Sequence, residues 1–194
     1  MNMEKKFELT DNFIINAFGV KLFQIKCTKS FKYAKEGYLG GYVEKDENLD
    51  QESDAWVSGD ARVYGNALVS GDAWVYGNAE VSGEARVYGE ARVYGDARVY
   101  GNARVSSDAR VYGDAEIDNN NKHCGFDCFG SANRHTHAYL TKENKVEITC
   151  GCFRGSIEEF EKNVEETHSG TVYEKQYKSI INVIKIKFGL TDFT

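Results

Sequence analysis

Residues 55–72 read AWVSGD ARVYGN ALVSGD, and this six-residue unit continues without an insertion to residue 117. Each unit has an alanine first and a valine third, and in almost every unit a glycine follows two residues after the valine. Ser107 is the exception among these glycines, and Ile117 takes the valine position of the last unit. The valines are Val57, Val63, Val69, Val75, Val81, Val87, Val93, Val99, Val105 and Val111.

The period of six predicts a chain that turns a corner after each short strand. Side chains alternate between the two faces of a strand, so the alanine and the valine point inward and the residue between them points outward. Glycine adopts the positive φ of a tight corner without steric cost, and the following Asp, Asn or Glu completes the turn. Three such edges close a triangular coil of about 18 residues, and residues 55–118 supply about 3.5 coils, stacked roughly 4.8 Å apart.

These in-phase units resemble the hexapeptide-repeat, left-handed β-helix family, and the resemblance covers about a third of the chain. It implies a mainly β fold in which residues 55–121 form a left-handed parallel β-helix. The left hand is implied by the resemblance alone, because the general crossover rule favours the right hand.

Many members of that family are trimeric acyltransferases, in which a histidine on a coil or an extruded loop deprotonates the acceptor. Residues 55–118 contain neither a histidine nor a loop insertion. We therefore expect no enzymatic activity, since a fold alone does not supply the chemistry. The enzymatic alternative is an acyltransferase-like protein that uses His135 or His137.

Outward residues at the same position of successive coils are expected to stack in columns. The first column is Trp56, Trp74, Arg92 and Arg110, the second is Arg62, Glu80, Arg98 and Glu116, and the third is Leu68, Arg86 and Arg104. Because Trp and Arg dominate interface energetics, the first column is the predicted partner-binding surface, together with Tyr76 and Tyr94. The alternative is that the N-terminal residues fold over Trp56 and Trp74. The alternating signs of the second column predict ion pairs along the stack.

Residues 1–54 are predicted to form a small N-terminal β module. Residues 13–15 and 20–25 read as strands of a hairpin or meander. The module is expected to cap the first coil, whose strand edge would otherwise be unpaired. The acidic run 44–54 carries six acids and one lysine. It is interpreted as a solvated loop or, alternatively, as an acidic recognition surface.

Residues 122–194 are predicted to form a C-terminal ββαα module. Its first residues, 122–134, are expected to be irregular. A hairpin over residues 137–150 follows. The capping box that begins at Ser156 starts one helix, and a second helix begins near Tyr173.

The cysteines and histidines of this module are candidate zinc ligands, because thiolates and imidazoles are preferred by zinc. The predicted metal ligands are Cys124, Cys128, Cys150 and Cys152, with His123, His135 and His137 as further candidates. Their spacing is not that of a standard zinc finger. Packing of the cysteines as small apolar residues and a thiol nucleophile beside a histidine are the alternatives. We expect no other cofactor.

Composition narrows the class of partner. A hydrophobic content of 41% and a charged content of 28% indicate a folded protein. The net charge of −6 argues against nucleic acid as a partner. No segment approaches the run of about 18 apolar residues that crosses a membrane, and the N-terminus has no apolar signal core. Five cysteines are an odd number and do not suggest a disulfide framework, so we expect a cytoplasmic protein.

Two motifs outside the repeat resemble uncharacterised proteins from phages and prophages. They are Gly37-x-Leu39-Gly40-Gly41-Tyr42-Val43-Glu44 and Cys150-Gly151-Cys152-Phe153-x-Gly155-Ser156. The resemblance implies a phage or mobile-element origin and residence in the host cytoplasm.

The sequence as a whole favours a non-enzymatic binding or scaffold protein of phage type. One such role is the inhibition of a host antiviral defence system by protein–protein binding. The expected partner is a host protein or a second copy of the chain, in a homo-oligomer that is a dimer or a trimer. The alternatives are the acyltransferase-like enzyme and a nucleotide sponge with grooves lined by Arg and Tyr.

Overall fold

A computed structural model describes residues 5–190 of the chain. The chain divides into two compact units, Met1–Asn119 (unit 1) and Asn120–Thr194 (unit 2). None of the described helices is long and apolar enough to cross a membrane.

Unit 1 contains one two-residue strand for each six-residue unit, as the sequence predicts. Each of these strands ends in the valine or isoleucine, which is buried, as is the alanine at the start of the unit. The strands of unit 1 are β1 (Phe7–Ile15), β2 (Lys21–Cys27), β3 (Leu39–Val43), β4 (Trp56–Val57), β5 (Arg62–Val63), β6 (Leu68–Val69), β7 (Trp74–Val75), β8 (Glu80–Val81), β9 (Arg86–Val87), β10 (Arg92–Val93), β11 (Arg98–Val99), β12 (Arg104–Val105), β13 (Arg110–Val111) and β14 (Glu116–Ile117).

Every third strand of the repeat pairs in parallel, and this pairing builds three faces. The first face contains β4, β7, β10 and β13, the second contains β5, β8, β11 and β14, and the third contains β6, β9 and β12. The register places Trp74 beside Arg92 on the first face and Arg62 beside Glu80 on the second. The predicted columns are therefore confirmed, whereas the left-handed sense of the coil stays a prediction.

Glycines at the corners lie directly against the backbone of the next coil. A Cβ atom at Gly83, where φ is +68°, would lie 2.9 Å from the backbone nitrogen of Gly101. Glycine is thus required both by the positive φ and by the close approach of two backbones. Ser107 keeps the positive φ, at 57°, although it carries a Cβ. The position 18 residues further along, Gly125, lies outside the repeat. The requirement for glycine, which comes from stacking against the next coil, therefore does not apply at position 107.

The coil begins before the repeat does. β3 pairs in parallel with β5, and Leu49 forms a parallel bridge with Val69. The interpretation of residues 44–54 as a solvated loop is therefore wrong in part. Asn48 is fully buried and its side-chain amide donates to the carbonyl oxygens of Gly65 and Ala67, at 3.1 and 2.8 Å. With this additional coil the fold has about four turns.

The N-terminal strands extend the second face and cap the coil. β1, β2 and β3 form the predicted antiparallel meander. Lys6 is buried, and its ammonium group donates to the carbonyl oxygens of Asp50, Ser53 and Ala55 at 2.6–2.7 Å. Burial lowers the pKa of Lys6 to about 8, against the opposing effect of nearby carboxylates. Lys6 thus supplies the carbonyl oxygens of the first coil with hydrogen-bond donors, which the backbone amides of a preceding coil would otherwise supply.

Unit 2 is an antiparallel sheet with two helices. Its elements are β15 (His123–Phe129), β16 (Arg134–Leu140), β17 (Val146–Cys150), β18 (Phe153–Gly155), α1 (Ile157–His168) and α2 (Val172–Lys187). The sequence predicts the hairpin β16–β17 and both helices, but it misses β15 and β18. The expectation of irregular structure up to residue 134 is wrong, because β15 pairs with β16 across a bulge between Phe126 and Phe129.

Local capping and apolar packing fix the two helices of unit 2. The Ser156 hydroxyl accepts from the Glu159 amide and the Glu159 carboxylate accepts from the Ser156 amide, which completes the predicted capping box. Thr171 caps α2 by accepting from the amide of Glu174. The buried core of the unit combines one face of the sheet with both helices; it includes Ala138, Ile148, Cys150, Phe160, Val164, Tyr177, Ile181 and Ile184.

The substitution Gly83→Ala tests the stacking of the corners. We expect it to lower the free energy of unfolding of unit 1 by about 1–3 kcal/mol, because the new Cβ meets the next coil at positive φ. Urea denaturation followed by tryptophan fluorescence measures this unit alone, since both tryptophans lie in it. The matched control is Ser107→Ala, which we expect to change stability by less than about 0.5 kcal/mol. Equal losses in the two variants would contradict the stacking argument.

Candidate functional site: the first face of the coil

The outward column of the first face changes from aromatic to cationic along the stack. The register pairs Trp56 with Trp74, Trp74 with Arg92, and Arg92 with Arg110. Trp56 is buried, Trp74 is half-buried, and both arginines are exposed. The two ends of this column therefore differ in accessibility as well as in chemistry.

Trp56 does not belong to an exposed surface. Its ring packs edge-on against Phe31, with ring centroids 5.3 Å apart, and against Phe7 at 6.5 Å. The N-terminal module thus covers Trp56 completely, at 0% exposure. The prediction that Trp56 contacts a partner is wrong, and the alternative, in which the N-terminal residues fold over it, describes its environment.

Trp74 lies between two tyrosine rings. Tyr33 stacks on it at 5.2 Å with an interplanar angle of 22°, and Tyr76 lies 4.3 Å away on the coil. The indole nitrogen of Trp74 donates to the Ser58 hydroxyl at 2.9 Å. Ser58 occupies the corner position that is a tyrosine in each later coil of this face, so the missing ring leaves room for the indole.

A loop of the N-terminal module holds Tyr33 in place. The Tyr33 hydroxyl donates to the carbonyl oxygen of Asp72 at 3.0 Å. The neighbouring Lys32 forms an ion pair with the Asp72 carboxylate at 2.8 Å. Sequence reasoning missed Tyr33, because no local pattern links this loop to a coil so much further along the chain.

The rings continue along the corner as a stack that we call the aromatic ladder: Tyr33, Trp74, Tyr76, Tyr94 and Tyr112. Tyr76 and Tyr94 are 4.7 Å apart and within 3° of parallel, and Tyr94 and Tyr112 are 4.5 Å apart. This spacing follows from the distance between paired strands. Burial, followed by the neighbouring Tyr94, raises the pKa of Tyr76, while Arg92 and Arg110 lower it. The stacked rings of the ladder cover each other's faces.

Arg92 projects beside the ladder without a countercharge. Among the residues that the structure describes, it forms no ion pair. The second face differs, because Arg98 there approaches Glu80 at 3.6 Å and Glu80 also accepts from the Tyr64 hydroxyl at 2.5 Å. On the first face, therefore, aromatic rings lie beside an arginine that forms no ion pair with the described residues.

The predicted zinc ligands do not converge. Cys150 is buried, with its sulfur 3.3 Å from the Thr136 hydroxyl, whereas Cys128 and Cys152 are exposed. Cys124 is half-buried, and burial raises the pKa of its thiol to about 11, against a metal-binding thiolate. Within residues 5–190, no group of three or more His, Cys, Asp or Glu side chains is arranged to hold a metal ion. The structure therefore does not assemble the predicted four-cysteine site.

The structure brings three histidines of unit 2 together instead. His123 Nδ1 lies 3.0 Å from His137 Nε2, and the rings of His135 and His137 are 5.7 Å apart. Asp127 lies 2.5 Å from His135 Nδ1, while His135 Nε2 is buried without a hydrogen-bond partner among the described residues. Burial lowers the pKa of His123 to about 4, with a further contribution from Lys187. Sequence reasoning missed Asp127 because β15 was not recognised as a strand.

Comparison with known families agrees with the stacked-coil geometry. A family model described as the YdcK beta solenoid repeat matches residues 55–71, 61–77, 85–100, 91–107 and 97–113. The chain is a β-solenoid repeat protein. The matched segments of the solenoid all lie within the repeat and do not reach the N-terminal meander or unit 2. No curated protein matches the chain.

The burial of Trp56 under the meander of the solenoid predicts a fluorescence difference between two variants. Trp74→Phe leaves Trp56 as the one tryptophan, and Trp56→Phe leaves Trp74. We expect Trp56 to emit at the shorter wavelength and to be quenched several-fold less by acrylamide, since no solvent reaches its ring. The control is denatured protein, in which both variants are quenched alike. Equal quenching of the folded variants would contradict the covered position of Trp56.

Proposed function

We propose that this β-solenoid is a non-enzymatic binding protein whose first face contacts an acidic surface of a partner protein. The observation that carries the proposal is Arg92, an exposed arginine without an ion pair among the described residues, beside the aromatic ladder. Arg110 stacks on it in the same column. Since Arg92 forms no ion pair with the described residues of its own chain, its guanidinium group can pair with a carboxylate of another protein.

The rigidity of the coil supports binding at this face. The strands that carry Arg92 and Arg110 are paired neighbours and hold the two side chains at a fixed spacing. The backbone pays no ordering entropy on binding, which is a main cost of association. Tyr76 and Tyr94 add half-buried aromatic edges and hydroxyl groups of the type that is enriched at interfaces. The proposed surface is therefore Trp74, Tyr76, Tyr94, Arg92 and Arg110, without Trp56.

A narrower form of the proposal names a host protein as the partner. The resemblance of the flanking motifs to phage and prophage proteins supports a role in infected cells. Inhibition of a host antiviral defence protein, by occupying an acidic surface of that protein, is the specific form that we put forward. It requires no catalytic group on the solenoid.

The aromatic ladder bears on the nucleotide-sponge hypothesis. A base that binds by stacking needs an uncovered ring face. Tyr76 and Tyr94 lie within 3° of parallel at 4.7 Å, so each covers a face of the other. This geometry favours recognition through ring edges and arginine, which suits a protein partner better than a free base.

Affinity capture with charge-reversed variants tests the proposed face. We expect Arg92→Glu/Arg110→Glu to reduce recovery of an acidic partner from native-host lysate by tenfold or more, because two cations become acids facing carboxylates. The matched control, Arg86→Glu/Arg104→Glu, makes the same charge change on the third face and should retain the partner. Equal recovery of the partner by the wild-type chain and both variants, or recovery by none of the three, would overturn the proposal.

A second candidate function rests on the pair of Asp127 and His135. If the His135 Nδ1 proton is donated to Asp127, Nε2 carries the lone pair that a general base uses. Such a base is what the acyltransferase-like alternative requires.

Calorimetric titration with acetyl-coenzyme A separates this alternative from the binding proposal. We expect no saturable heat, since the binding proposal assigns no acyl donor to the chain. Saturable binding that His135→Gln leaves intact, combined with acyl transfer that the same variant abolishes, would replace the binding proposal with the enzymatic one.

A further inference from the structure

The second face carries a column whose charges alternate along the stack. Arg62, Glu80, Arg98 and Glu116 are consecutive partners in the parallel register. The face belongs to a seven-stranded sheet in the order β1-β2-β3-β5-β8-β11-β14, which is the widest sheet among the described residues. Arg98 is about half exposed and Glu80 is one-fifth exposed, so these charges reach the surface of the sheet.

Reversal of this column converts it into its own complement. Read in one direction the signs are plus, minus, plus, minus, and read in the other they are minus, plus, minus, plus. A two-fold axis that crosses the stack between Glu80 and Arg98 therefore places every arginine opposite a glutamate. Arg62 of one copy faces Glu116 of the other, and Glu80 faces Arg98.

We propose that the second face is a dimerisation surface on which two copies of this chain pack with their stacks antiparallel. Such an interface is isologous, because each copy contributes the same patch, and it closes at two subunits. The sequence analysis assigns the alternating charges of this column to ion pairs within one chain. In the dimer, the same charges also determine the antiparallel orientation of the second copy. The surface is distinct from the first face, so this inference does not depend on the proposed function.

Neither the first face, nor the third face, nor a parallel arrangement of two second faces has this complementarity. The first column ends in Arg92 and Arg110, and the third ends in Arg86 and Arg104, with no acid in either column. On the second face, a two-fold axis parallel to the stack would place each residue opposite its own copy and bring like charges together. Juxtaposed like charges suppress association, which leaves the antiparallel arrangement.

Pairing within one chain leaves capacity for a second copy. Arg98 and Glu80 approach at 3.6 Å, longer than a charge-assisted hydrogen bond. The buried Arg62 Nε has no hydrogen-bond partner among the described residues. Glu116 accepts from the Tyr100 hydroxyl at 2.8 Å, and its carboxylate has further lone pairs to offer. The groups that would face each other across the axis are thus incompletely satisfied in the single chain.

Sedimentation velocity of the full chain measures the association directly. We expect a concentration-dependent dimer in about 50 mM salt that weakens at about 500 mM, since salt screens exposed charge pairs. Glu80→Lys and Arg98→Glu should each weaken the dimer by about a hundredfold, because each places two like-charged contacts across the axis. Arg86→Glu on the third face is the matched control and should leave the dimer unchanged. Circular dichroism checks that every variant is folded.

Mixing the two weakened variants gives the decisive result. A Glu80→Lys copy has the signs plus, plus, plus, minus, and an Arg98→Glu copy has plus, minus, minus, minus. Antiparallel, these columns are complementary at all four positions, so we expect the mixture to form a heterodimer although neither variant dimerises alone. The double variant Glu80→Lys/Arg98→Glu should regain the homodimer for the same reason. A wild-type monomer in low salt, an association that these changes do not weaken, or a mixture that stays monomeric would each overturn the proposal.

Discussion

The contact of one corner glycine with the backbone of the next coil is the constraint on which unit 1 depends. At Gly71, Gly83 and Gly89, an added Cβ would lie 2.9 Å from a backbone nitrogen of the following coil. The corners can stack this closely only if every coil has the same length. A single inserted residue would bring a side chain where a glycine must lie, so the chain keeps its period of six from the first unit to the last.

This constraint leaves the outward residues as the place where the coils differ. From residue 55 to residue 111 the interior is valine and alanine in every coil, so it stabilises the fold but does not distinguish one coil from another. The outward position of each strand varies freely, and the fixed register turns that variation into columns. The column of the first face changes from aromatic to cationic residues along the stack, while the column of the second face alternates between positive and negative charges. Two faces of one solenoid can therefore hold two different surfaces without any change in the core.

The parts of the structure that follow a fixed period are those that the sequence predicts. The strands and columns of the repeat follow from the period alone, and the capping box at Ser156 fixes the start of α1. The sequence leaves the covering of Trp56 by the N-terminal residues as one of two alternatives. The role of Phe31 could not be predicted, because the loop that carries it has no repeat to set its register. β15 escapes recognition because its bulge breaks the alternation of side chains. The contact between Asp127 and His135 could not be predicted for the same reason, because Asp127 lies in β15.

A uniform core raises the question of what prevents one coil from slipping past another. A shift by one whole coil would put valine on valine again and would cost the interior little. The residues that break the repeat supply the specificity. Trp74 fits beside Ser58, and at a tyrosine in that corner column its indole would meet a ring instead of a hydroxyl acceptor. Asn48 satisfies the carbonyls of Gly65 and Ala67, and Lys6 satisfies the edge of the first coil. The aromatic and polar residues near the N-terminus that depart from the repeat therefore set the register of the coils. That register in turn determines which outward residues stack in each column.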